Sequence, residues 1–237
     1  MKRSREKEMM DQPGNPRYLL EEDLQNLRII NRYLGGYRGL LGYLRRLERR
    51  GEMKNLSFLD VGTGSGDIPV AVVRWAMGKG IQVRTVGLEL DQVTVEVARR
   101  QTRSCPEISL VRADAAHPPF SPSSFDFVHA SQLLHHFLEE DIVALLRAWS
   151  KIARRGILVS DLVRHPLAYW GIFFLTRLLT RNPMTRTDAP LSVHRAFTVE
   201  EWTDLFEQAG IGEFHLFRIF PFRFVAVFPL DGCREAL

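Results

Sequence analysis

Apolar residues between positions 18 and 50 recur every three or four residues, which is the spacing of amphipathic helices. Gly35-Gly36 interrupts this spacing, so the segment is predicted to form two helices. The two apolar series are Leu24, Leu27, Ile30 and Leu34, then Leu40, Leu41, Leu44 and Leu47. Two uses fit such an N-terminal helical cap: a packed cap with a solvated basic edge, or a lid over an active site. Residues 1–17 mix charge with prolines and a glycine, and they are predicted to be a flexible tail.

From position 56 onward, short apolar strands alternate with helical segments, which is typical of a parallel α/β sheet. Strands are predicted to begin at 56 and to cover 82–90, 108–112, 124–130, 156–162, 214–220 and 223–228. Helices are predicted directly after residue 67 and at 91–103, 138–153 and 197–209. The last helix has a capping box formed by Thr198 and Glu201, and Gly210 is predicted to end it.

Residues 165–195 form an insertion between the fifth strand and the last helix. The insertion opens with the apolar and aromatic residues Leu167, Tyr169, Trp170, Ile172, Phe173, Phe174 and Leu175. It then turns basic, with Arg177, Arg181, Arg186, His194 and Arg195. Either the aromatic side chains pack on the core, or the insertion is a substrate lid with an apolar inside and a basic surround. Peripheral membrane contact is a variant of the second interpretation.

A glycine-rich turn joins the first strand to the following helix. Residues 60–66 read D-x-G-x-G-x-G. Alternate glycines let the backbone turn sharply and approach a ligand closely, and the helix start offers unpaired N–H groups. The spacing is neither the G-x-G-x-x-G of dinucleotide-binding proteins nor a P-loop, because Asp67 stands at the third glycine position and no lysine follows.

This motif resembles motif I of the Rossmann-like S-adenosylmethionine (SAM) methyltransferases. The resemblance implies an α/β fold with a seven-stranded, mostly parallel sheet whose last strand is antiparallel, and it implies SAM as the cofactor. Asp60 would then face the cationic amino acid end of SAM. Glu89 ends the second predicted strand 23 residues after Gly66, where an acidic residue accepts hydrogen bonds from ribose hydroxyls.

The same resemblance implies further cofactor contacts at the ends of the next strands. Leu90 would lie against the adenine, Asp114 and Ala115 would bind its polar edge, and Ala130 and Ser131 would border the sulfonium. The predicted cofactor-binding residues are therefore Asp60, Gly62, Thr63, Gly64, Gly66, Glu89, Leu90, Asp114, Ala115, Ala130 and Ser131.

The fourth strand runs into a Leu-His-His-Phe sequence at residues 134–137. A strand followed by this sequence resembles the small-molecule branch of the superfamily, which includes quinone C-methyltransferases and natural-product O-methyltransferases. A histidine is a natural base for an acceptor that must lose a proton, since its reference pKa is about 6.5. His135 and His136 are the predicted bases, with His194 on the insertion as the third choice. The Pro118-Pro119 pair resembles a nucleic acid methyltransferase signature only faintly and is predicted to be a loop, because it precedes the fourth strand.

Composition narrows the function further. The chain has 237 residues and a net charge of +4, which suits one domain with a mildly basic surface. Its two cysteines, Cys105 and Cys233, form neither a disulfide framework nor a zinc site, and no cluster has the spacing of metal ligands, so no metal is predicted. Neither a secretory signal nor a membrane-spanning segment is visible, which predicts a cytoplasmic protein.

We therefore predict a helical cap at 18–50 and a methyltransferase domain at 51–237 that contains the insertion 165–195. The leading hypothesis is a SAM-dependent methyltransferase for a small, aromatic acceptor such as a phenol, a polyketide or a quinone precursor, with O- and C-methylation both open. A nucleic acid or protein methyltransferase is the second hypothesis, and the lack of a dense lysine field disfavours nucleic acid as a partner. The third is a fold member that binds SAM without catalysis.

Overall fold

The chain folds around one sheet of seven strands in a computed structural model that describes residues 1–51 and 53–230. The strands are β1 (Asn55–Val61), β2 (Gln82–Glu89), β3 (Ile108–Arg112), β4 (Phe125–Ser131), β5 (Ala153–Leu162), β6 (His215–Ile219) and β7 (Arg223–Pro229). Their order in the sheet is β3-β2-β1-β4-β5-β7-β6. Strands β1 to β5 pair in parallel, and β7 is antiparallel to β5 and β6. The order reverses between β1 and β4, and ligands of open α/β sheets bind beside the carboxyl ends at such a point.

Helices surround this sheet. They are α1 (Arg17–Tyr33), α2 (Arg38–Arg49), α3 (Asp67–Met77), α4 (Gln92–Thr102), α5 (Glu139–Ile152), α6 (Pro166–Leu179), α7 (Pro183–Arg195) and α8 (Val199–Ala209). Short 3₁₀ turns lie at Met9–Asp11 and Leu134–His136. Among the described residues, no helix combines the length and the apolar character needed to cross a bilayer.

Alternate strand residues pack on opposite faces of the sheet, as the pleat requires. In β4, Val128 packs with α5 and α8 around Trp149 and Trp202, whereas its neighbour Phe127 packs on the opposite face with residues of α2 and α3. The sheet is thus buried on both faces, which explains why its central strands are almost uniformly apolar.

The predicted fold class is confirmed, and most element boundaries lie within a few residues of the predicted ones. The local signals are also confirmed. The hydroxyl of Thr198 accepts the N–H of Glu201 at 3.3 Å, and the Glu201 carboxylate accepts the N–H of Thr198 at 2.8 Å. Gly210 ends α8 with a φ of 63°. Residues 117–120 form a loop before β4, as predicted.

The N-terminal segment differs from the flexible tail that its composition predicted. Arg3 donates to the carbonyl of Phe137 at 2.8 Å and to the Glu139 carboxylate at 3.1 Å, and Glu8 is buried. The main-chain N–H of Ser4 donates to the carbonyl of His194 at 3.0 Å. These partners lie far along the chain, so local composition could not reveal them. Cys233 lies outside the described residues.

The insertion divides into two helices with opposite roles in packing. Helix α7 is largely buried, and it contacts α1 and the turn Met9–Asp11. Helix α6 packs Ala168, Tyr169 and Ile172 against the core, but it leaves a stripe of large apolar residues exposed. Packing on the core, one of the two interpretations made from the sequence, thus describes α7 and one face of α6, and the substrate lid stays a prediction.

Candidate cofactor and acceptor site

The glycine turn after β1 has the geometry of a ligand cradle. Gly62, Gly64 and Gly66 all adopt positive φ values, which side chains other than glycine's disfavour. A Cβ atom on Gly66 would lie 2.7 Å from the Thr102 side chain, so the turn packs tightly there. On Gly64 the nearest atom to a Cβ would belong to Leu24, at 4.0 Å, so space remains in front of Gly64.

Asp60, at the end of β1, is held inside the protein. Its Oδ2 accepts the Thr63 hydroxyl at 2.8 Å, and its Oδ1 lies 2.7 Å from Nδ1 of His129. Burial raises the pKa of Asp60, although His129 and Thr63 oppose the shift. One oxygen is thus engaged by His129 of β4 and the other by Thr63 of the glycine turn, and the predicted contact of Asp60 with the cofactor's cationic end stays a prediction.

His129 was missed by sequence reasoning. It is buried in β4, and its Nε2 lies 3.2 Å from the Ser160 hydroxyl. A polar residue inside the apolar run Phe127-Val128-His129-Ala130 was the available signal, since a buried polar side chain needs a partner.

Glu89 connects the end of β2 to the glycine turn. Its Oε2 accepts the N–H of Gly64 at 3.0 Å, and its Oε1 accepts the N–H of Leu90 at 2.9 Å. Burial raises the pKa of Glu89, and these backbone N–H groups lower it in part. Leu90 is 61% exposed beside this carboxylate. The structure thus brings Gly64, Glu89 and Leu90 together at one edge of the sheet.

The remaining predicted cofactor residues lie at the same edge. Asp114 follows β3 and is exposed, with its Oδ1 accepting the N–H of Ala116 at 2.9 Å. Ala115 is half-buried, and its carbonyl accepts the indole N–H of Trp149. Ala130 is buried in β4 opposite Val61 of β1.

Ser131 ends β4 with a buried hydroxyl. Within residues 1–51 and 53–230, this oxygen has no hydrogen-bond partner. Buried polar atoms without partners are uncommon in folded proteins, so each one is a place to look for a ligand. The open space at Gly64, the exposed Leu90 and the unpaired Ser131 hydroxyl together fit a nucleoside-bearing cofactor along this edge.

Helix α1 lies over the glycine turn. Asp67, the first residue of α3, accepts the Tyr37 hydroxyl at 2.8 Å and the Asn31 amide at 3.3 Å. The Asn31 side-chain oxygen also accepts from Arg223, whose burial lowers its pKa to about 10. Sequence reasoning missed these contacts because they join the start of α3 to α1, to the segment before α2 and, through Asn31, to β7 by side chains alone.

His135 is buried in the turn after β4. Its Nδ1 lies 2.7 Å from Oδ1 of Asp161, at the end of β5. Burial by itself lowers the pKa of His135, but the carboxylates of Asp161 and Glu8 outweigh it and raise that pKa to about 9. A ring that is enclosed and keeps its proton is poorly suited to be the predicted base.

The other two predicted bases occupy different surroundings. The His136 ring lies 4.5 Å from that of His135, and its Nδ1 is 2.8 Å from Oδ2 of Asp11. His194 lies on α7, where its ring packs edge-on against Tyr169. The structure therefore brings His135 and His136 together and holds both with carboxylates.

Glu8 joins the two adjacent histidines. One ligand atom each from Glu8, His135 and His136 lies within 4.8 Å of the others. The sequence predicted no metal because its residues show no metal-ligand spacing, and this arrangement brings together residues that lie far apart in the chain. Glu8 belongs to the N-terminal segment, so its approach to the histidines depends on the tertiary fold.

Comparison with known proteins agrees with this geometry. A family model described as a methyltransferase domain matches residues 58–156. A demethylmenaquinone methyltransferase from Roseiflexus sp. (strain RS-1) is 29% identical over 164 residues, which cover 64% of this chain and 66% of the relative. The match thus spans slightly less than two thirds of that relative's length.

Two solved structures share the fold. Human N-acetylserotonin methyltransferase, solved with SAM, superimposes with a TM-score of 0.61 at 16% identity, covering 90% of this chain and 56% of that one. A SAM-dependent methyltransferase from Aquifex aeolicus gives a TM-score of 0.56 at 15% identity, covering 79% and 88%. Residues 58–156 thus match a methyltransferase domain, and the sheet order and the glycine cradle are those of the class I, SAM-dependent methyltransferase fold.

Proposed function

We propose that the chain is a SAM-dependent methyltransferase that acts on a small, apolar aromatic acceptor of the quinol or phenol class. The observation that carries the proposal is the exposed apolar stripe of α6. The helix begins four residues after β5 ends, and so just beyond the carboxyl edge. The stripe consists of Leu167, Trp170, Phe174 and Leu178, which recur on one face of the helix.

The stripe continues toward the turn between β6 and β7. The His165 ring, at the start of α6, stacks on Phe222 at 4.8 Å, and Phe220 in the same turn is 82% exposed. An exposed apolar patch of this kind marks a surface that meets an apolar ligand or partner. The demethylmenaquinone methyltransferase relative supports an acceptor of quinone type.

The proposed cofactor contacts follow from the edge of the sheet. SAM supplies a methyl group on a positively charged sulfur, so the departing group is neutral. We assign the ribose to Glu89, the adenine to Leu90, Asp114 and Ala115, and the sulfonium side to Ala130 and Ser131. Asp60 accepts a hydrogen bond from the Thr63 hydroxyl, and we assign it the role of fixing the shape of the glycine turn.

The chain's remaining task is to align the acceptor and to exclude water. Alignment of two bound reactants supplies roughly 7–11 kcal/mol toward the barrier. Helix α1 covers the turn at Gly64, and α6 offers the apolar surface for the acceptor ring. Carboxylates hold the rings of His135 and His136. Among the three predicted bases in the described chain, His194 has no carboxylate on its ring. We therefore assign to His194 the removal of the acceptor's proton.

The test is a methyl-transfer assay with SAM labelled in the methyl group. The acceptor panel contains a short-chain naphthoquinol, simple phenols, an oligonucleotide and a peptide. Label on the quinol or phenol, with the position read by NMR, supports the proposal and distinguishes O- from C-methylation. Label on the oligonucleotide or peptide alone contradicts it.

A pair of variants then examines the stripe itself. The single variants Trp170→Ser and Phe174→Ser should each raise the acceptor KM at least about tenfold, because each removes apolar contact area that the complex buries. The matched control is Met77→Ser, which changes an exposed apolar residue at the end of α3 and should leave KM unchanged. SAM affinity, measured by calorimetry, should be the same in all three proteins.

A further inference from the structure

Glu8, His135 and the half-buried His136 form a cluster that none of the roles above uses. Glu8 precedes the turn Met9–Asp11, and the histidines lie in the turn that follows β4. The Glu8 and His135 side chains are each 2% exposed, so solvent does not satisfy their polar atoms.

Each histidine is oriented by a carboxylate on its Nδ1. Asp161 holds His135 at 2.7 Å, and Asp11 holds His136 at 2.8 Å. A metal-binding histidine almost always donates its second ring N–H to a carboxylate, a carbonyl or water, which fixes the tautomer and leaves the other nitrogen for the ion. Both rings meet this condition, and both Nε2 atoms face Glu8. An ion bound there takes the place of the proton that Nε2 of His135 carries in its absence.

The distances at Glu8 suit metal ligands better than hydrogen bonds. Its Oε1 lies 3.6 Å from Nε2 of His135 and 3.9 Å from Nε2 of His136. Hydrogen bonds between nitrogen and oxygen end near 3.2 Å. Ligand atoms of a tetrahedral site with bonds of about 2.1 Å are about 3.4 Å apart. Across residues 1–51 and 53–230, Nε2 of His135 finds no hydrogen-bond partner at all.

We propose that Glu8, His135 and His136 bind a divalent transition metal ion, with Zn²⁺ as the ion best suited to two imidazoles and one carboxylate. The fourth position is left for water or another oxygen ligand. Bound there, the ion fastens the N-terminal segment to the carboxyl edge of the sheet.

The surrounding groups are compatible with a cation. The Ser192 hydroxyl donates to Oε1 of Glu8 at 2.9 Å and fixes the carboxylate. The Arg195 guanidinium lies 3.8 Å from the same oxygen and opposes the ion, but its hydrogen bonds go to main-chain carbonyls, including that of His136 at 2.9 Å. The carboxylates of Asp11 and Asp161 offset its charge.

The first experiment uses full-length wild-type protein with any affinity tag removed, after treatment with a chelator. Zn²⁺ is titrated by calorimetry, and Co²⁺ by its visible absorption, which reports coordination number. We expect one equivalent to bind, a four-coordinate Co²⁺ spectrum and a higher melting temperature with Zn²⁺. Wild-type protein that binds neither ion saturably at one equivalent would show that the cluster is only a buried ion pair, and would overturn the proposal.

Variants locate the ion. Glu8→Gln and His136→Asn should each weaken Zn²⁺ binding more than about 100-fold, and Asp161→Asn, which acts through His135, should weaken it about 10- to 100-fold. Glu213→Gln and His215→Asn change exposed residues of the same types and should bind as the wild type does. Equal Zn²⁺ affinity in all five variants would place the ion elsewhere on the surface and reject this site. If a variant fails to fold, the Co²⁺ spectrum of the wild type decides whether a four-coordinate site exists.

Discussion

The two halves of the sheet's carboxyl edge are built in different ways. Around β1 and β2, the site is made within one unit of strand, turn, helix and strand: Thr63 binds Asp60, and Glu89 binds Gly64. Around β4 and β5, the site also takes in a segment that is remote in the chain: His135 meets Asp161 of the next strand, and it approaches Glu8 of the N-terminal segment. We call the first half a motif, because one short unit of the chain forms it, and the second an assembly, because it also needs the N-terminal segment.

This difference has an energetic consequence. A motif depends on backbone shape, so its most sensitive positions are glycines with positive φ. An assembly of buried charged groups depends on every partner, because removing one leaves another charge unpaired in a poorly solvated place. Substitutions in the two halves should therefore differ in how much they change SAM binding and how much they change the free energy of unfolding.

The largest effect is expected at Asp60, where the motif contains a buried carboxyl group with two hydrogen-bond partners. Asp60→Ala should lower the free energy of unfolding by about 3–5 kcal/mol, since it leaves His129 and Thr63 without their buried partner. Urea denaturation at constant ionic strength measures the loss. Asp114→Ala removes an exposed carboxylate that we also assign to the cofactor, and it should change stability by less than about 0.5 kcal/mol while weakening SAM binding. Equal losses of stability in both variants would contradict the distinction.

The pH dependence of stability should report Asp23 of α1. Its Oδ1 accepts the Thr185 hydroxyl at 2.6 Å, and burial raises its pKa to about 7, with Asp188, Glu8 and Glu22 adding to the shift. The folded state therefore holds a proton that the unfolded state releases near pH 4. The stability that this proton contributes is complete below pH 4 and is lost as the pH rises through 7.

Asp23→Asn should accordingly flatten the fall in unfolding free energy between pH 4 and 8, by as much as about 4 kcal/mol. The control is Asp141→Asn, an exposed carboxylate in the first turn of α5, which should leave the slope as it is in the wild type. Urea denaturation across this pH range compares the three proteins. A wild-type slope that survives in Asp23→Asn assigns the titration to another group.

A smaller effect is expected for a pair of glycines. Gly66 and Gly80 have φ values of 77° and 69°, so alanine is strained at both. Only at Gly66 would the new Cβ meet another group, the Thr102 side chain at 2.7 Å. Gly66→Ala should be destabilising by about 1–3 kcal/mol more than Gly80→Ala, and it alone should weaken SAM binding. Thermal denaturation measures the loss of stability, and calorimetry measures SAM binding. Equal losses of stability in the two variants would mean that the turn at Gly66 is not packed against Thr102.

The smallest change in stability is expected on α6. Leu178 is 82% exposed, so Leu178→Ala should alter the free energy of unfolding by less than about 0.5 kcal/mol. Its acceptor KM should nevertheless rise if the stripe meets the substrate. A loss of stability without any change in KM would show that α6 packs on the protein in solution and is not an acceptor surface.

Much of the fold could be predicted from the sequence, because the signals are local. The alternation of strands and helices, the capping box at Thr198 and the stop at Gly210 each depend on residues within one or two turns of one another. The positions of Gly64, Glu89 and Leu90 at one edge followed from parallel pairing and strand ends. Their contacts with a bound cofactor stay predictions.

The acceptor half could not be predicted in the same way. The sequence pointed to His135 and His136, but it assigned them a role in proton transfer that requires accessible rings. His135 is buried, and the carboxylates of Asp11 and Glu8 reach the two rings from the N-terminal segment, which no spacing rule connects to β4. His129 gave a weak local signal, whereas Glu8 gave none, because an acidic residue in a charged segment is ordinarily solvated.

The sequence by itself thus determined the order of strands and helices, the glycine cradle and the class of cofactor. These depend on backbone preferences and on the periodicity of apolar side chains, both of which are short-range. Only the tertiary structure decided that residues 3–12 pack on the sheet edge, that α7 is buried while α6 is exposed, and that Glu8 faces two histidines. Such contacts are set by how distant surfaces fit and exclude water, and they exist only once the whole chain has folded.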